Sequence, residues 1–234
     1  MPHQLSSVKQ KLTLIQLADS FFPSGSYTLS HGLESLKQQG KIQQSEDITD
    51  FLKLLLQYKI ATCDLVALIQ AHQASTEGNI ARITTIAARL QALTLIETTR
   101  KTQLQSGRAL LMVAQSTWEH TLLETLDQKR ISNQFDCLHP VIFGVVGSVA
   151  DLNQIDTALA FLHGFVTGVL GAAIRLGSLG HLQAQQILLE LSSEMEIAYH
   201  TASKMSLEEM WSCTPSIDLA QMRHPRLNSR LFAS

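Results

Sequence analysis

The sequence predicts an all-α protein: a single-domain bundle of about ten helices around one buried central helix, with a flexible C-terminal tail. Three observations predict it. Apolar residues recur at helical spacing along most of the chain, between capping residues and Gly or Pro breaks. No stretch alternates apolar and polar residues between hairpin turns, and no repeat period is visible. Residues 158–179 stay apolar on every face, so a helix there has to be surrounded. Their length is borderline for a bilayer span, but His163 and Thr167 lie mid-stretch, Arg175 near its end, and no basic flank or aromatic belt is present. The stretch therefore reads as the core helix of a bundle. Gly164, Gly168 and Gly171 fall along one side of it, where missing side chains are expected to let neighbouring backbones approach. His163 is expected to be a satisfied core imidazole.

The other elements come in chain order. Leu12, Ile15 and Ala18 mark a helix that stops at Phe22-Pro23. After the turn FFPSGSY, Leu29, Leu33 and Leu36 sit at i, i+4 and i+7 of a second helix, ended by Gly40. Ser45 caps a third, with Glu46 and Asp47 on its dipole, and Thr62 or Asp64 restarts a further one. Asn79 caps the next, a long helix covers residues 95–118 and its period continues through Leu126, and His139-Pro140 opens another. Asp151 or Asn153 caps the central helix, and one amphipathic helix spans residues 181–204. Residues 1–204 thus form the helical domain. Residues 205–234 are polar, contain Pro215 and Pro225, and read as a tail that is loose unless something holds it.

Composition narrows the function. At 234 residues the chain can bury a real core, yet only 16% of it is charged, which favours a partner-covered or oligomeric surface. A net charge near −2 without basic runs argues against nucleic acid. Three distant cysteines, Cys63, Cys137 and Cys213, and an opening without a signal-peptide pattern point to reduced thiols and a cytoplasmic location, away from any membrane.

Nine histidines invite a metal hypothesis, but HExxH, CxxC and Glu-x-x-His pairs are absent. Cys137 with His139 reads as a buried thiol beside a loop histidine, and Glu196 with His200 as a surface pair. Nucleophile elbows and phosphate-binding glycine loops are missing too. From the residues alone, Tyr27 and the segment Ser229-Arg230-Leu231-Phe232 stand out as aromatic and polar groups of the kind interfaces use, against the plainer reading of a core plug and a disordered end.

The stretch LIQLADSFFPSGSYTLSHGLESL (residues 14–36) resembles the opening motif of the urease accessory protein UreF family. The likeness continues through TRKTQLQSGRALL, HPVIFGVVG, FLHGFVTGVLGAAIRLGSLG and the terminal SRLF, in order and over nearly the whole chain. The resemblance implies an all-helical, homodimeric, non-enzymatic scaffold that joins the accessory protein UreD (UreH) to the GTPase UreG and, through that complex, meets apo-urease. It implies no tightly bound cofactor, with nickel handled by the partner complex. It also implies a tail that orders when UreD binds, and partner-binding residues Pro23, Gly25, Tyr27, Ser30, Glu34, Ser229, Arg230, Leu231 and Phe232. The alternative is a helical-bundle enzyme or small-ligand binder with a pocket beside the central helix.

Overall fold

A computed structural model describes residues 7–19, 22, 29–227 and 229–232. The regular elements among them are all helical: α1 Ser7–Ala18, α2 Leu33–Gln38, α3 Ser45–Leu55, α4 Leu65–Thr76, α5 Ile80–Leu93, α6 Glu97–Thr117, α7 Thr121–Ile131, α8 His139–Val149, α9 Gln154–Arg175, α10 His181–Glu190, α11 Ser192–Ala202 and α12 Pro215–Arg223. A π-helical segment, Leu56–Asp64, joins α3 to α4, and a 3-10 turn, His224–Arg226, follows α12.

Local chemistry sets most boundaries. The Asn79 side chain accepts from the Arg82 amide at 3.0 Å, and the Asn153 side chain from Asp156 at 2.7 Å, so both cap their helices. Gly40 ends α2 at φ +68, with Gly40 N–H on the Lys37 carbonyl and Lys41 N–H on that of Leu36, a Schellman pair. At α3 the cap is Gln44 rather than Ser45, and Asp47 accepts from the Gln43 and Gln44 amides. Three expected boundaries differ. No helix restarts at Thr62 or Asp64, because the π-helical turns carry α3 straight into α4. The long sixth helix stops before Trp118, and His120 caps a separate α7 by accepting from Leu122 N–H. The helix after residue 180 breaks at Leu191 into α10 and α11.

α8 and α4 form the most deeply buried pair, packed on each other, on α6 and on α9. Their axes come close because Gly144 leaves room: a Cβ there would lie 2.2 Å from the Leu68 carbonyl oxygen. Gly107 plays the same part where α6 meets the chain before α8, with a Cβ position 1.9 Å from the Cys137 carbonyl oxygen. α9 is, by length and composition, the one helix among the described residues that could cross a bilayer. Here it packs against α8, α1, α4, α10 and α11, burying Ala158, Phe161, Leu162, Val166 and Val169.

The opposite side of α9 corrects two expectations. Among the described residues, nothing lies within 4 Å of a Cβ built on Gly164, Gly168 or Gly171, so these glycines do not meet the neighbouring backbone that their spacing suggests. His163 is exposed rather than held in the core. The spacing that places residues on one side of a helix does not say what that side meets.

Candidate functional site

Two polar assemblies stand out, and the first is a clasp between α2 and the C-terminal segment. It begins with a turn. His31 and Gly32 have φ +52 and +90, and Leu33 N–H donates to the Ser30 carbonyl at 2.9 Å. Two consecutive positive φ values make a type I′ turn, which no helix can contain, so the second helix starts at Leu33 although Leu29, Leu33 and Leu36 carry a helical period. Glycine at position 32 is also required by space: a Cβ would meet Gln221 Cγ at 3.1 Å and the Ile217 carbonyl oxygen at 3.3 Å on α12.

The turn aims Glu34 inward, leaving it 2% exposed. Both carboxylate oxygens are taken by the far end of the chain: His224 Nε2–H donates to Oε2 at 2.8 Å, and Leu231 N–H to Oε1 at 2.8 Å. Gln38 donates to the Ser229 carbonyl at 3.1 Å, Arg223 to Gln39 Oε1 at 3.3 Å, and Thr99 Oγ1 to Gln221 Oε1. The Arg175 guanidinium lies 4.5 Å from the centre of the buried Phe232 ring, a cation–π contact. Upstream, Trp211 N–H donates to the Thr62 carbonyl and Cys213 N–H to that of Tyr58, fixing the chain along the π-helical segment. A tail that reads as loose unless held is thus held in several places by the body of the same chain.

The predicted residues distribute unevenly over this clasp. Glu34, Ser229, Leu231 and Phe232 come together in it, and buried Ser30 forms the first corner of the turn. Arg230 is exposed, as is Leu231 at 69%. Pro23, Gly25 and Tyr27 lie outside the described residues. Sequence reasoning missed His224 and Arg175. A lone histidine before a proline and an arginine at a helix end carry no local signal of a contact so distant.

The second assembly is a cavity of about 770 Å³ beside the glycine side of α9, bounded mainly by apolar side chains of α1, α8, α9 and α10. Its polar lining holds an ion pair, Lys59 Nζ to Asp64 Oδ2 at 2.7 Å, and Gln103 donates to Asp64 Oδ1 at 3.2 Å. The pair is separated by five residues. An α-helix turns 100° per residue and would point them about 140° apart, whereas the i→i+5 closure of a π-helix stacks them. Burial is the largest influence and opposes the Lys59 charge, but the charge and hydrogen bond of Asp64, joined by Cys63 and Asp218, together leave the ammonium pKa above its ordinary value. His31 and His139 also line the cavity. Burial, joined for His31 by the Lys59 charge, pushes both imidazoles down to about 4. Among the described residues, Nε2 of His139 and Oε1 of Gln103 have no hydrogen-bond partner.

Other expectations resolve simply. Cys63 and Cys137 are buried thiols pushed up to about 12 by burial, while Cys213 is exposed. Glu196 and His200 form an exposed i, i+4 pair at 3.8 Å. Among the described residues, no three His, Cys, Asp or Glu side chains gather closely enough to hold a metal ion.

Fold and clasp together define an all-helical protein whose best-organised polar groups secure one segment of the chain against another. Comparison with known proteins makes the class specific. A family model described as UreF matches residues 42–192. The chain is 53% identical over 229 residues to the urease accessory protein UreF of Trichodesmium erythraeum (strain IMS101), covering 98% of this chain and 99% of that one. It is 29% identical to urease accessory protein UreF 1 of Brucella melitensis (94% and 91% covered) and 30% identical to UreF of Bradyrhizobium diazoefficiens (91% and 87%). The chain belongs to the UreF family of urease accessory proteins.

Proposed function

We propose that the chain is a non-enzymatic scaffold of urease maturation that bridges a UreD/UreH-type accessory protein and a UreG-type GTPase in the cytoplasm while nickel passes to apo-urease. Nickel is cargo of that assembly, and the isolated chain retains none tightly. The observation that carries the reading is the clasp on Glu34, which fixes the backbone of Ser229 and Leu231 while Arg230 and the Leu231 side chain face outward. A recognition segment held in shape by its own protein loses less conformational entropy on binding than a free one.

The same reading includes a homodimer. Val8, Leu12 and Ile15 make an exposed apolar stripe at i, i+4 and i+7 on α1. α1 packs along α9, whose Ile155 and Leu159 are also exposed. A face of this kind on a thinly charged chain fits a second copy of itself.

The test is complementation of a strain lacking this gene, at equal apo-urease levels. Urease activity and urease nickel should return with the wild-type chain, and Arg230→Ala should cut both and weaken recovery of the UreD-type protein. Full activity without the gene would overturn the reading. The cavity beside α9 favours a second reading, a small-ligand binder. Deleting residues 227–232 separates the two, since a scaffold would lose function and a buried pocket would not.

A further inference from the structure

Three segments meet at the clasp, and their charges are one-sided. Residues 35–45, 157–189 and 219–234 contain no aspartate or glutamate, yet supply Lys37, Lys41, Arg175, Arg223, Arg226 and Arg230. That is six of the 18 basic residues of a chain with net charge −2. Contacts in the structure tie the segments together: Lys37 Nζ to the Leu176 carbonyl, Arg223 to Gln39, Gln38 to Ser229, and Arg175 to Phe232. Glu34, the carboxylate inside the clasp, is buried and already accepts from His224 and Leu231. Among the described residues, Lys41, Arg223, Arg226 and Arg230 pair with no carboxylate, and all four are exposed.

We infer that this junction docks an acidic protein surface. The inference rests on the reading that the C-terminal segment meets an accessory partner, and adds the chemistry of that partner's face: carboxylates set among apolar side chains. Arginines outnumber lysines here, and a guanidinium engages a carboxylate through two parallel hydrogen bonds. Leu219, Met222 and Leu231, 53%, 61% and 69% exposed, supply the apolar part. A nucleic-acid backbone would leave these three in water. A lipid surface would engage them, but α12 is nine residues long, too short for a separate amphipathic anchor, and the nearby aromatic, Phe232, is turned inward.

The experiment uses the full-length chain and the UreD/UreH-type accessory protein as probe, with binding measured at low and high salt. Wild-type affinity should fall by about tenfold or more as salt rises, since charge pairing at a rim is screened. Arg223→Glu with Arg226→Glu should lose about tenfold at low salt and most of the salt dependence, while Arg223→Lys with Arg226→Lys should stay within about threefold of wild type. Both substituted positions are exposed, and unchanged thermal melts establish folding. Salt-independent binding that survives charge reversal, yet is lost on deleting residues 227–232, overturns the acidic partner and keeps the tail-docking reading. Tighter binding to phosphatidylserine vesicles or duplex DNA than to the accessory protein also overturns it. No binding by the wild-type chain overturns both.

Discussion

Glu34 and His224 are separated by 190 residues and joined by a 2.8 Å hydrogen bond in which neither side chain is more than 2% exposed. Replacing Glu34 by Ala would strand the buried donor His224 Nε2–H and unpair the partly buried Leu231 N–H. The expected cost is about 3 kcal/mol, since hydrogen bonds to a charged acceptor are worth roughly 1.5–3 kcal/mol each. The readout is limited trypsin digestion, with cleavage after Arg223, Arg226 and Arg230 accelerated well beyond cleavage elsewhere. Equal protection of Glu34→Ala and wild type would show that the clasp contributes nothing.

The pair Lys59–Asp64 gives a double-mutant test. Lys59→Met leaves a buried carboxylate with only Gln103 as partner and should cost about 3–5 kcal/mol, whereas Lys59→Met with Asp64→Leu should recover most of that loss. Chemical denaturation of the three variants measures the coupling. Equal destabilisation by the single and double variants would mean that the charges do not depend on each other.

Two glycine substitutions should have opposite signs. Gly144→Ala forces a methyl against the Leu68 carbonyl at 2.2 Å, which neither backbone can yield cheaply, and should cost about 3 kcal/mol or prevent folding. Gly168→Ala meets nothing within 4 Å among the described residues and should stabilise by about 0.5–1 kcal/mol through helix propensity. Urea midpoints decide both.

Stability should fall in mild acid. His31 and His139 titrate near 6.5 when unfolded and near 4 when folded, so between those values the unfolded chain binds more protons and stability rises with pH. The contribution is complete above pH 6.5 and lost as pH falls towards 4. The slope of unfolding free energy against pH should approach about two protons, and His139→Gln should remove about one of them. A flat profile over this range would contradict the desolvation of both imidazoles beside the cavity.

Thiol reactivity should be split. Cys213 should react promptly with a disulfide reagent, while Cys63 and Cys137, buried and pushed up to about 12, should react only on unfolding. Counting fast and slow thiols measures this.

Much of the scaffold is legible in the sequence because it is local. Asn79 and Asn153 cap the helices that their positions predict, and Gly40 ends α2 as its chemistry dictates. The hidden part depends on geometry that spacing does not encode. Leu29, Leu33 and Leu36 keep a helical period across a turn that His31 and Gly32 make non-helical. Gly164, Gly168 and Gly171 look from spacing like a packing seam, but the close approach belongs to Gly144 and Gly107. Lys59 and Asp64 share a side only because the helix widens between them. Glu34 is singled out by family resemblance, while its partner His224 carries no signal at all.

The widened segment between Leu56 and Asp64 also sets the rotational phase of α4. Each residue of an α-helix advances the side-chain direction by about 100°. α3 meets α9, the π-helical segment meets α11, and α4 packs most extensively on α8 while also touching α9 and α11. A single-residue deletion between Leu56 and Asp64 would let a narrower helix form without breaking the rod, yet would rotate the whole of α4 against α8 and carry Leu68 away from Gly144. In this stretch length is a more stringent constraint than side-chain identity: conservative substitutions should pass where the loss of one residue, of any kind, should not.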